Sequence, residues 1–230
     1  DDEMQIIYTE RGGMRVLAIE TTERIGTVAL AEGGCLVAQV SLDAEQRSAQ
    51  SLAPALVQIL ADAGWKPEDV ELVAVTVGPG SFTGLRVGVT TAKAFAYSVG
   101  AEILGINTLD AVAAATDDNI RRVAVAIDAQ RGQVVAAQFS RGDDGWFRRE
   151  GPTRLLDIEA WLAALPDAAT VSGPILKKLR ADVPERLQVA SSACWCPTAA
   201  MVARLAVRDY AAGRRDDLWT LLPVYSRQSA

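Results

Sequence analysis

Apolar residues follow two different periods along this chain, and the switches between them mark the elements. Residues 72–77, LVAVTV, form a continuous apolar run rich in Val, which predicts a buried strand. Residues 15–20, 26–31 and 36–42 predict three earlier strands, and Glu32–Gly33–Gly34 reads as the hairpin turn joining the last two. Between 48 and 63 the period changes. Leu52, Leu56, Ile59, Leu60 and Ala63 recur at i, i+3 and i+4, the spacing of an amphipathic helix. Pro54 fits only the first turn of a helix, so this helix is expected to start near Ser51.

A second helix is expected from Thr83 or Gly84 to Val99, followed by a strand at 102–106. Asn107 and Thr108 can cap a third helix over 109–116. Asp117–Asp118–Asn119 breaks that helix, which places a domain boundary between Asn107 and Asn119. The second half opens as the first did, with a strand at 123–127, a turn at 128–132 and a return strand at 133–139. A polar hairpin at 141–149, a helix at 155–165, a short strand at 170–172 and a helix from Leu176 follow. A helix over 198–213, capped by Thr198, is the last element.

The loop between the 72–77 strand and its helix is Gly78–Pro79–Gly80–Ser81–Phe82–Thr83–Gly84. Strand, glycine loop and helix can bind an anion through free helix N–H groups. Neither phosphate fingerprint fits, however. No glycine is followed by Lys as a P-loop requires, and Thr83 stands where the third glycine of G-x-G-x-x-G belongs. The loop is thus either a tight turn needing glycine backbone angles or an anion site. Within the helix, Gly84, Gly88, Ala92 and Ala96 form a ridge of small side chains on one face. Each interior glycine costs about 1 kcal/mol against Ala, so something packs closely there. That partner is either the chain's own sheet or a helix of another subunit.

Composition narrows the chemistry. The net charge is −6, and the chain has 230 residues, half of them hydrophobic. The first thirteen residues carry four acids and one Arg, and therefore −3 of that charge. Arg121, Arg122 and Arg131 offer only a small local patch, far from the basic surface that phosphate neutralisation demands. With no histidine, Ser-His and Cys-His catalysis and His-based metal sites are excluded. Three cysteines are too few for a disulfide scaffold, and they read as reduced cytosolic thiols. No apolar run reaches the 18 residues of a membrane span. Residues 1–13 read as a polar extension, with Met14 an alternative start.

The segments GPGSFTGLRVG at 78–88, IETT at 19–22 and IDAQRGQV at 127–134 resemble the TsaB (YeaZ) family, and the resemblance covers about residues 14–228. It implies an α/β fold of two ribonuclease-H-like domains of the sugar kinase/Hsp70/actin superfamily. The first would span 14–108 and the second, smaller one 109–230, its last helix able to pack back on the first. In that superfamily an acid at the end of the first strand stands beside the nucleotide phosphates. Glu20, Thr21 and Thr22 occupy the matching place, and Asp128 mirrors Glu20 in the second half. Either acid could equally stabilise a turn. The family is regarded as degenerate in nucleotide binding, so these four residues are a candidate vestigial site. Gln130 and Gln133 depart from the Arg and Glu common in the family.

The same resemblance implies function. Family members support formation of threonylcarbamoyladenosine in tRNA, next to the anticodon, as non-catalytic cytoplasmic partners of the catalytic subunit TsaD. ATP and Mg²⁺ would be bound by partner subunits, this chain holding no cofactor or metal of its own. A TsaE-like ATPase is the third component, a homodimer is expected when the chain is alone, and tRNA is met only indirectly. Helix contacts are expected through Leu52 and Leu56 with Gly84, Gly88, Ala92 and Ala96. The motif loop 78–84 with Arg86 is the family's signature here. Arg47, Ser48, Gln50 and Ser51 stand where the catalytic relative carries a pair of metal-binding histidines. The alternative function is an independent ATP-dependent transferase or hydrolase using Glu20, Asp128 and the glycine loop.

Overall fold

The computed structural model describes residues 13–43 and 48–225. The expected extension, apart from Gly13, and Arg47 lie outside the described residues, as does the end of the chain from 226. The chain divides into two compact units. One runs up to Asn107 and resumes over Thr198–Val224, and the other comprises Thr108–Pro197 together with Tyr225.

The first unit is built on a five-stranded sheet of order β3-β2-β1-β4-β5. Its strands are β1 (Arg15–Glu20), β2 (Thr27–Glu32), β3 (Cys35–Ser41), β4 (Leu72–Gly78) and β5 (Glu102–Asn107). β2 runs antiparallel to β1 and β3, whereas β4 is parallel to β1 and to β5. This order is the ribonuclease-H-like arrangement. β4 is buried along its whole length, because helices cover both faces of the sheet. Leu17, Ile19, Val73 and Val75 share a core with Leu52, Ile59 and Val89 from α1 (Ser48–Asp62) and α2 (Phe82–Val99). The alternate residues point to the other face, where α6 (Ala199–Ala211) lies against β1, β2, β4 and β5. Thr198 caps α6, and Thr27 Oγ1 and Gln39 Oε1 accept from its next two N–H groups at 2.8 and 2.9 Å. The last helix is thereby fixed by polar groups of β2 and β3. The second unit accordingly excludes α6.

Sheet order repeats in the second unit, as β11-β10-β6-β7-β8. The strands are β6 (Arg122–Asp128), β7 (Gln133–Arg141), β8 (Phe147–Arg149), β10 (Thr170–Ser172) and β11 (Gln188–Val189), with β9 (Arg154–Asp157) also paired to β7. α3 (Thr108–Ala114) packs on one face through Leu109 and Val112, against Val125, Val135 and Phe139. On the other face Trp161 and Leu162 of α4 (Ile158–Ala164) and Leu176 of α5 (Leu176–Leu179) cover Ala124, Ala126, Val134 and Ala136. The two halves thus share one topology, and Glu20 and Asp128 each end the first strand of their sheet.

Three local expectations need correction. α1 starts at Ser48, so Pro54 lies beyond the first turn. It is tolerated because it sits on the exposed side, where the carbonyl that loses its partner is open to solvent. Residues 155–157 are strand, not helix, because β9 pairs in register with β7, Leu155 opposite Val135 and Leu156 opposite Val134. Thr108 is the first residue of α3, and its buried hydroxyl caps nothing.

Candidate functional site

The first strand of the first unit ends on three buried polar residues, Glu20, Thr21 and Thr22. Glu20 Oε1 accepts from the Thr22 backbone N–H at 2.6 Å and from its hydroxyl at 2.5 Å. Thr21 Oγ1 donates to the Gly84 carbonyl at 2.8 Å. The Thr22 carbonyl accepts from the Ser81 N–H at 3.1 Å. The strand end is therefore sewn to the glycine loop and to the first turns of α2.

The glycines are explained by this seam. A Cβ on Gly84 would strike the Thr21 carbonyl, and one on Gly88 would strike the Thr21 hydroxyl. On Gly80 it would come within 2.5 Å of Thr22 Cβ. Gly78 has φ +116°, and a Cβ there would run into the Val224 carbonyl. Ser81 is the N-cap of α2, its hydroxyl accepting from the Gly84 N–H at 3.2 Å. The loop is a turn held by its own chain.

The ridge therefore faces inward. Gly84, Gly88, Ala92 and Ala96 are buried against β1 and β4, and Leu52 and Leu56 are also buried in the core of the unit. For Leu52, Gly84, Gly88, Ala92 and Ala96 the expected partner contact gives way to packing inside the unit, because small side chains let the sheet approach α2, whereas Leu56 also lines an outward groove. Of the signature loop, Pro79 is a cis peptide partner of Gly78, whereas Phe82, Thr83 and Arg86 are exposed. Arg86 lies over the Phe82 ring, 4.3 Å from its centroid.

What faces outward is an apolar groove between α1 and α2, about 550 Å³ in volume. Its floor and walls include Leu56, Val57, Leu60, Trp65, Ala94 and Phe95. Val57 stands on the rim, 71% exposed. Sequence reasoning found both helices but chose their inner stripes. The missed signal was a second stripe on α1, Ala53, Val57 and Ala61, at the same i, i+4 spacing and just beside the core stripe.

Asp128 belongs to the second unit and is engaged there. Its Oδ1 accepts from the Gln130 N–H at 2.8 Å, and its Oδ2 pairs with Lys178 Nζ at 2.5 Å. It holds a turn in which Gln130 and Arg131 both adopt positive φ. Near the end of the first unit the Asp217 carboxyl is held below its ordinary range, chiefly by the Thr220 backbone N–H and further by that of Trp219 and by Lys93. In the second unit burial pushes the Cys194 thiol up, and the Asp117 carboxylate adds to the shift. Among the described residues no cluster of three or more Cys, Asp and Glu could hold a metal ion, and no helix is long and apolar enough to cross a membrane.

Comparison with known proteins adds similarities of three kinds. The family model for TsaD, tRNA N6-adenosine threonylcarbamoyltransferase, matches residues 40–148. The tRNA threonylcarbamoyladenosine biosynthesis protein TsaB of Escherichia coli is 33% identical over 148 residues, 64% of this chain and 64% of its own length. The protein of the same name from Bacillus subtilis is 29% identical over 154 residues, 67% of each chain. The matched stretch thus spans about two-thirds of these relatives. Among solved structures, YeaZ from Pseudomonas aeruginosa superposes with a TM-score of 0.79 at 27% identity, over 92% of this chain and 99% of that one. A second Pseudomonas aeruginosa structure, described as an uncharacterized protein with similarity to peptidase YeaZ, gives 0.78 at 26% identity over 93% and 100%.

Proposed function

The chain belongs to the TsaB (YeaZ) family, and on that premise we propose that it is a non-catalytic partner subunit in the formation of threonylcarbamoyladenosine in tRNA. It pairs with a TsaD-like subunit that transfers the threonylcarbamoyl group to the adenosine next to the anticodon. The observation that carries this reading is the apolar groove between α1 and α2, flanked by exposed Val57. Open apolar surface of this kind marks a protein contact.

The non-catalytic part of the reading is supported by the fate of the candidate chemical groups. Thr21 bonds to α2, and Glu20 Oε1 holds the Thr22 N–H and hydroxyl within the strand end. Ser81 is a helix cap, and the chain has no His to activate it, which weighs against a peptidase. ATP and Mg²⁺ then belong to the partner subunits, a TsaE-like ATPase among them, and tRNA meets this chain only indirectly. The same groove would mate two copies when the partner is missing. The complex would work in the cytoplasm.

Size-exclusion chromatography with light scattering tests the proposal, using this protein alone and mixed with its cognate TsaD-like subunit. The expected result is a heteromer that replaces the self-associated form and is lost in Val57→Asp. No association at micromolar concentrations overturns it, and nucleotide hydrolysis by the chain alone would favour the independent ATP-dependent enzyme instead.

A further inference from the structure

After α6 the chain runs back over the first unit as a strap, from Arg214 to Val224. Asp216 bridges to Ile103 and accepts from the Gly105 N–H at 2.8 Å, and Val224 donates to the Val77 carbonyl at 2.6 Å. Leu218 and Leu221 pack on the core. Between these leucines Trp219 turns outward and remains 71% exposed. It meets Tyr97 of α2, itself 68% exposed, edge to face with ring centroids 5.6 Å apart.

This pair is held in place. Asp217 Oδ1 accepts from the Trp219 and Thr220 N–H groups at 3.0 and 2.8 Å. Lys93 Nζ donates to the Trp219 and Leu221 carbonyls, 3.1 Å each. Ordering a large aromatic side chain while most of it stays in water gains little for folding. It does reduce the ordering cost of a later contact. Trp and Tyr are also enriched among the residues that dominate protein–protein affinity.

Position identifies the occupant. Ala94 lines the groove and Tyr97 stands three residues further along α2, its neighbour on the helix surface, so the aromatic pair borders the groove. The stretch that resembles the threonylcarbamoyltransferase, residues 40–148, contains α1, α2 and Tyr97 but not the strap. Two chains with the same helix pair can meet about a near-twofold axis. The Trp219 ring then lies at the edge of that contact, from an element outside the shared segment. Resting on the pairing reading above, we infer that Tyr97 and Trp219 form an aromatic anchor buried by the TsaD-like subunit.

The test uses the full chain with Trp219→Ala, Tyr97→Ala and Val57→Asp, and measures affinity for the TsaD-like subunit by calorimetry and self-association by sedimentation. Trp219→Ala and Tyr97→Ala should each weaken the heteromer about tenfold or more. Their thermal midpoints should match the parent protein, and Trp219→Phe should recover part of the loss. Heteromer affinity within twofold of the parent, with Val57→Asp still abolishing pairing, overturns the anchor and leaves the pairing reading intact. A loss confined to self-association makes a second copy the occupant and also overturns it. No pairing by the parent protein removes both readings together.

Discussion

The Thr21 hydroxyl occupies the space that a side chain on Gly88 would need, and it donates to the Gly84 carbonyl at 2.8 Å one helical turn earlier. The glycines of α2 form a socket for a residue of the same unit. Helix propensity alone predicts that Gly88→Ala gains about 1 kcal/mol. In this socket it should instead cost about 1–3 kcal/mol, since overpacking displaces the strand end. Urea unfolding of Gly88→Ala, Thr21→Ala and the double variant measures the coupling, expected above about 0.5 kcal/mol. Additive losses would show that the two residues are independent. Gly88→Leu, which an interface ridge would tolerate as a fold, is expected to unfold the unit.

Arg141 organises a loop of the second unit. Its guanidinium donates to the carbonyls of Thr116, Asp117 and Ile120 at 3.0 Å each and of Gly145 at 2.8 Å, and its side chain is only 7% exposed. Arg141→Ala should cost about 1–3 kcal/mol, because four carbonyls of the surrounding loops, partly open to water, lose charged donors together. Arg141→Lys should recover little, since an ammonium cannot present the same planar fork. Hydrogen exchange over residues 115–121 reads the effect locally. Unchanged protection there in Arg141→Ala would rule out the organising role.

The Asp217 carboxyl titrates below its usual range, first because of the Thr220 N–H. A depressed folded-state value means the stabilisation is complete above the unfolded-state value, about 3.9. It is lost as pH falls through the lower folded-state value. The strap turn around Trp219 should therefore loosen only on the acid side of that range. The near-ultraviolet circular dichroism of the Tyr97–Trp219 pair should fall with it. Asp217→Asn should flatten this acid transition; an identical transition in that variant would assign it to other groups.

Cys35 is exposed, whereas Cys194 is buried with its thiol shifted upward by desolvation. Alkylation requires the thiolate and access to it. Iodoacetamide labelling followed by mass spectrometry should modify Cys35 first and leave Cys194 protected until the second unit unfolds. Equal rates at the two positions would mean that the second unit opens freely in the native protein.

Periodicity in the sequence determined most of the elements, because alternation and the i, i+3, i+4 spacing report directly which residues leave water. The Val-rich β4 and the apolar stripe of α1 could hardly be read otherwise. It did not determine which side of α2 faces the sheet. A row of Gly84, Gly88, Ala92 and Ala96 says that something comes close, and the identity of that neighbour is a matter of contacts 63 or more residues apart along the chain. The Thr21 hydroxyl beneath Gly88 and the Val224 carbonyl beside Gly78 decided it. β9 was hidden for the same reason, since its strand form comes from pairing with β7 and not from its own four residues. The groove beside Val57 and the exposed Trp219 also belong to tertiary structure alone. A sequence marks which residues are apolar, while only the packed chain settles which of them remain uncovered.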